Sequence, residues 1–147
     1  MQEIVDQIQE YLSEYKEKLM AISSEAAHQT VAQGEWSRQE ILGHLIDSAY
    51  NNHQWVMRTA MGQGLTCQPY PQEEWVKFQC YNEGDWFTMI DLWVQANLHF
   101  CNAVQHVPES ALENMCNLGK EQPVPLKDII TKYPTHLKMH LDDILKP

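Results

Sequence analysis

Leu126-Lys127-Asp128-Ile129-Ile130-Thr131-Lys132-Tyr133-Pro134-Thr135-His136-Leu137-Lys138-Met139-His140-Leu141 is the stretch on which the reading of the fold turns. Ile129, Ile130, Tyr133, Leu137, Leu141 and Ile144 recur at spacings of three and four, the period of a helix with one buried face. The run opens just after Pro125 and predicts a helix from Leu126 to about Leu145. His136 and His140 are one turn apart and continue the stripe of Ile129 and Tyr133, so both rings are expected to face inward. A buried imidazole needs a partner for each nitrogen, and a metal shared by two rings satisfies both.

A second run, Ser37-Arg38-Gln39-Glu40-Ile41-Leu42-Gly43-His44-Leu45-Ile46-Asp47-Ser48, opens with the sequence of a capping box. Its apolar positions Ile41, Leu42, Leu45, Ile46, Ala49 and Val56 predict a helix to about Met61. His44 lies at the edge of that face. Ser48, Asn51 and Trp55 follow it at helical spacing, a half-polar line suited to a cavity wall. Two imidazoles at i, i+4 and a third from a facing helix can hold a divalent metal with a position left open, as catalytic sites do. The competing reading, that these are hydrogen-bonded core or boundary histidines, stays open on periodicity alone.

Two further helices are predicted. Ile4, Ile8, Tyr11, Leu12, Tyr15, Leu19 and Ile22 mark one from about Gln2 to Ile22. The other runs from about Asp85 to Val107 and ends at Pro108. Its polar residues Thr88, Asp91, Gln95, His99, Asn102 and His106 form one solvated stripe, so His99 and His106 read as exposed. Asn97 lies on the opposite side, where it is either an inter-helix hydrogen-bonding residue or a group orienting a ligand. His53 falls on the Leu42/Ile46/Ala49/Val56 stripe and reads as a core or helix–helix residue, while His28 falls in a linker. No segment alternates as a strand does. The connection from Gly62 to Gly84 is long, with a helical turn expected around Gln72–Phe78, and that from Pro108 to Pro125 is long too. The expected architecture is all-α, a four-helix bundle with long crossover connections in one domain spanning residues 1–147.

Composition narrows the function. The 147 residues carry 20 acidic against 10 basic side chains, a formal charge of −10. That balance disfavours nucleic acid and anionic membrane as partners. No signal sequence is recognised at Met1-Gln2-Glu3, and the apolar run Trp86 to Cys101 is too short to span a bilayer. Cys67, Cys80, Cys101 and Cys116 show no metal-binding spacing and read as reduced thiols, so a cytoplasmic protein is expected.

Trp36-Ser37 with Glu40 to Ser48, and Tyr133-x-x-His136-x-x-x-His140-Leu141, resemble the motifs of the DinB/YfiT-like metalloenzyme superfamily. Trp75-Val76, Tyr81, Trp86, Trp93 and Asn97 resemble a short-chain branch of it, and the likeness covers nearly the whole chain. It implies a four-helix bundle with a long crossover and a divalent metal, zinc or nickel, on His44, His136 and His140. It also implies homodimerisation and, as in some relatives, transfer or isomerisation chemistry with a low-molecular-weight thiol such as bacillithiol or mycothiol. Two residues depart from the pattern. Pro134 interrupts the last helix where relatives carry an aliphatic residue, and is expected to kink it or restart it before His136. Trp55 stands where close relatives carry an arginine.

Three neutral imidazoles would leave the ion's charge uncompensated, so it would acidify a bound water or thiol. The expected substrate is a small molecule, with thiol S-transfer or metal-assisted hydrolysis as the chemistry. Ser48, Asn51, Trp55, Asn97 and Tyr133 are the expected pocket residues, and none of them is a strong base. That favours the thiol, whose thiolate needs no further activation. The non-catalytic alternative is a stress-related binding or scaffold bundle with a vestigial metal site.

Overall fold

Four long helices carry the structure, a computed structural model that describes residues 1–30, 35–62, 70–119 and 122–146. They are α1 (Gln2–Met20), α3 (Arg38–Ala60), α5 (Trp86–Gln105) and α6 (Leu126–Ile144). Two short helices, α2 (Ser24–Ala27) and α4 (Gln72–Gln79), lie in the connections. Cys67 lies outside the described residues; Cys80 is exposed, and Cys101 and Cys116 are buried free thiols.

The long helices do not pack in chain order. α1 and α3 each pack against both α5 and α6, so α1 lies diagonally across from α3 and α5 from α6, whereas the consecutive pair α3 and α5 pack side by side. The connections from α1 to α3 and from α5 to α6 must therefore cross an end of the bundle rather than turn a corner. This packing also puts α3 beside α6, the pair of helices that carries the three histidines of interest.

Each element has a local cause. Ser37 completes the capping box, its hydroxyl accepting from the Glu40 amide at 3.1 Å while its own amide donates to Glu40 Oε2 at 2.8 Å. Asp85 caps α5 by accepting from the Thr88 amide at 2.8 Å. The first helix stops at Met20, two residues before Ile22, because Ser23 caps the single turn of α2. The expected turn near Gln72–Phe78 is α4. The long connection before α6 holds a two-residue antiparallel ladder, Met115–Cys116 with Val124–Pro125, which is too short to show as alternation in sequence.

The core is filled from all four long helices, with Ile8, Leu19, Leu42, Leu45, Ile90, Trp93, Phe100, Ile130, Leu137 and Leu141 essentially inaccessible. Trp86 is anchored as well as buried, its indole N–H shared between the carbonyls of Leu19 and Ile22. The polar stripe of α5 is exposed throughout, His99 and His106 included. His53 is half-buried, its ring stacked on that of His99 with centroids 4.2 Å apart. No helix among the described residues is long and apolar enough to cross a membrane.

Pro134 does not restart the last helix. α6 is one helical segment from Leu126 to Ile144 with Pro134 inside it and buried. The cost of the missing N–H is confined to one turn, and packing of the flanking Tyr133 and Leu137 holds the helix through it.

Candidate metal centre

His44 comes from the second turn of α3, and His136 and His140 from the second half of α6. One ring nitrogen from each lies within 4.8 Å of the other two. The centroid of His44 is 5.5 Å from that of His136 and 4.8 Å from that of His140, and the two α6 rings are 4.7 Å apart. His44 is completely buried, whereas the two α6 histidines are half-buried. Trp36 covers the His44 ring from the start of α3, at 5.2 Å between centroids.

The electrostatics favour neutral rings. Burial first, and the neighbouring imidazoles second, push His44 down to about 3 and His136 to about 4. Burial also lowers His140, opposed by the Asp143 carboxylate, whose Oδ2 is 3.8 Å from its Nδ1. Neutral imidazole is the metal-binding form. The hydrogen bonding shows the same fit: Nδ1 of His44 is 3.2 Å from the Tyr70 hydroxyl, while its Nε2 is buried with no partner among the described residues. A buried nitrogen beside two more neutral imidazoles is an arrangement that can accommodate a divalent ion of borderline softness.

Two cavities flank the cluster and share no lining residue. One, of about 370 Å³, is lined by Glu35, Trp36, Ile41, Glu73, His140, Asp143 and Lys146. The other, of about 350 Å³, reaches His136 past Ser48, Asn52, Trp55, Tyr70, Leu118 and Tyr133. Ser48, Trp55 and Tyr133 thus line the space beside His136. Asn51 does not line it. Its amide donates to the Asp47 carbonyl at 2.8 Å, and Asn52, one position on, takes the place on the ridge from His44 through Ser48. Asn97 is fully buried and lines neither cavity: its Nδ2 donates to the Trp93 carbonyl at 2.9 Å, and its Oδ1 accepts from the Tyr133 hydroxyl at 2.7 Å. It is the inter-helix hydrogen-bonding residue of the two readings.

Other residues around the centre were not apparent from periodicity. Asp47 is buried on α3, where its Oδ1 accepts from Gln79 Nε2 at 2.6 Å and the Tyr81 hydroxyl at 2.7 Å. Burial raises its pKa, and its Oδ2 has no partner among the described residues. These bonds tie the end of α4 and the turn after it to α3. The signal in sequence is weak, because Asp47 falls among residues 41–49, which are buried on every side only once α4 covers them. Glu35, Glu73 and Asp143 are likewise brought to one cavity from three separate parts of the chain.

The fold is shared with known proteins. YfiT from Bacillus subtilis, described as a probable metal-dependent hydrolase with an unusual four-helix bundle topology, superposes with a TM-score of 0.88 at 13% identity, over 97% of this chain and 82% of that one. A mycothiol-dependent maleylpyruvate isomerase superposes with a TM-score of 0.81 at 14% identity; the match covers 99% of this chain and 60% of that one. At these identities the likeness is one of fold. No curated protein matches the sequence at a significant level. The family profile of the DinB superfamily matches residues 5–144, and the chain belongs to that superfamily.

Proposed function

We propose that the chain is a metal-dependent enzyme in which His44, His136 and His140 hold one divalent ion, zinc or nickel, and which transfers a small thiol to an electrophilic carbon. The observation that carries this reading is the buried, unpartnered Nε2 of His44 in a cluster of three neutral imidazoles. When bound, the ion supplies a Lewis acid that keeps a small thiol deprotonated near neutral pH.

The remaining work falls to the protein. Trp36 and the burial of His44 exclude water from one side of the cluster. Trp55, Leu118 and Ile129 give the cavity beside His136 apolar walls for the acceptor, and Ser48 and Asn52 supply polar groups to orient it. In the transfer the thiolate sulfur forms the bond to the electrophilic carbon as the bond from that carbon to its leaving group breaks; the leaving group departs with the electron pair, and the proton lost by the thiol goes to solvent. The likeness of fold to a mycothiol-dependent enzyme is consistent with a thiol as the co-substrate.

A hydrolytic reading is favoured by a different observation. Glu35, Glu73 and Asp143 line the cavity that reaches His140, so carboxylates able to take a proton from water lie on that side. One experiment separates the two. The metal-loaded protein is given a panel of small thiols with a generic aromatic electrophile, and in parallel a panel of activated esters without thiol. Thiol-dependent conjugation above the protein-free rate, abolished in His44→Ala, is the expected result. Ester hydrolysis with no thiol-dependent rate would transfer the proposal to hydrolysis.

A further inference from the structure

The two nitrogens of His44 have different surroundings: Nδ1 faces the hydroxyl of Tyr70 at 3.2 Å, and Nε2 has no hydrogen-bond partner among the described residues. A neutral imidazole carries one proton, and its place decides whether the ring can act as a ligand through the other nitrogen. If the Tyr70 hydroxyl donates to Nδ1, the proton sits on Nε2 and occupies the lone pair that would face the cluster. If Nδ1–H donates to the phenol oxygen, Nε2 presents a free lone pair to His136 and His140.

Two features favour the second arrangement. Either arrangement leaves Nε2 without a partner among the described residues, but only the second leaves it the lone pair that an ion could take up. Tyr70 is itself held in place, its ring packed against Trp75 of α4 with centroids 4.9 Å apart.

We propose that Tyr70 is a positioning residue for the candidate metal centre, accepting a hydrogen bond from Nδ1–H of His44 and thereby directing Nε2 of that ring at the cluster. The inference rests on the three-histidine reading, and the tautomer is measured independently of metal binding. Tyr70 joins the site from the segment before α4, so it couples the seating of that segment to the readiness of a ligand on α3.

The test reads the tautomer and the metal separately. Long-range proton–nitrogen NMR of the metal-free wild-type protein should show His44 protonated at Nδ1 and bare at Nε2. Tyr70→Phe, with unchanged helical content, should lose that signature and weaken zinc binding by about 10- to 100-fold in a competition titration. An Nε2-protonated His44 in the wild type, or a Tyr70→Phe variant with the wild-type tautomer and zinc affinity, overturns the proposal. A wild type that shows the Nδ1–H tautomer, loses it in Tyr70→Phe and yet binds no zinc sustains Tyr70 as the orienting group and sinks the metal reading instead. The wild-type spectrum decides the tautomer even where the variant fails to fold.

Discussion

The ring of Tyr81 lies where a side chain at position 43 would have to be: a Cβ on Gly43 would come within 2.1 Å of Tyr81 Cδ2. The same tyrosine donates its hydroxyl to Asp47 at 2.7 Å, one turn further along α3. Glycine is thus needed at position 43 for close approach, on the helix that carries His44. Gly43→Ala should displace the Tyr81 turn and destabilise the protein by about 1–3 kcal/mol despite the better helix propensity of alanine. Urea denaturation checks this, and a Gly43→Ala protein as stable as the wild type would mean that the ring is not seated there.

Tyr133 and Asn97 form a buried pair between α6 and α5, with Asn97 also bonded to its own helix. Tyr133→Phe removes one donor and leaves Asn97 Oδ1 unpaired, at a cost of about 1–3 kcal/mol. Tyr133 sits one turn before His136 but its hydroxyl points away from the histidine cluster, to α5. Metal content should therefore be unchanged while the unfolding midpoint falls. Loss of metal with no loss of stability would reverse the assignment of this pair.

Acid should destabilise the metal-free protein before the carboxylates titrate. The native pKa of His44 lies near about 3 and that of His136 near about 4, against 6.5 for a free ring. Above pH 6.5 the rings are neutral in both folded and unfolded chains, and nothing is lost. Below it the unfolded chain takes up protons that the native rings refuse, so stability falls as pH drops from about 6.5 towards about 4. Each ring contributes about 1.4 kcal/mol per pH unit in that window. Urea midpoints measured across it should show a slope that is shallower in His44→Ala, and a flat profile in the wild type would contradict the buried, neutral state of these rings.

Asp47 has the opposite sign. Burial raises its native pKa above the unfolded value, so its contribution to stability declines as pH rises through and just above the usual carboxylate range. Asp47→Asn keeps an acceptor for Tyr81 and Gln79 and removes the charge. Its thermal midpoint relative to wild type should improve from pH 4 to pH 7. A relative midpoint that worsens over that range would mean that the carboxylate is stabilised by a partner beyond Tyr81 and Gln79.

Much of this was legible in the sequence because long amphipathic helices are governed by local spacing. The stripes of α1, α3, α5 and α6 and the Ser37–Glu40 box follow from periods of three and four, whereas the convergence of His44 with His136 and His140 is left open by periodicity and implied by the family resemblance. What stayed hidden depends on which helix covers which. Nothing in the spacing distinguishes Asp47 until α4 is placed over it, and Asn51 and Asn52 are separated only by the helix's rotation at the cavity. Tyr70, Glu35 and Glu73 reach the centre from connections that carry no periodicity. Pro134 does not divide α6 because its local cost is a few kcal/mol, which the packing of a long buried helix outweighs.

The central claim is tested most directly by elemental analysis of protein purified without a histidine tag, beside a His136→Ala/His140→Ala double variant of unchanged helical content. The account predicts about one zinc or nickel per chain in the wild type and almost none in the variant. No metal in either protein, even after incubation with zinc or nickel, or equal metal in both, would contradict it.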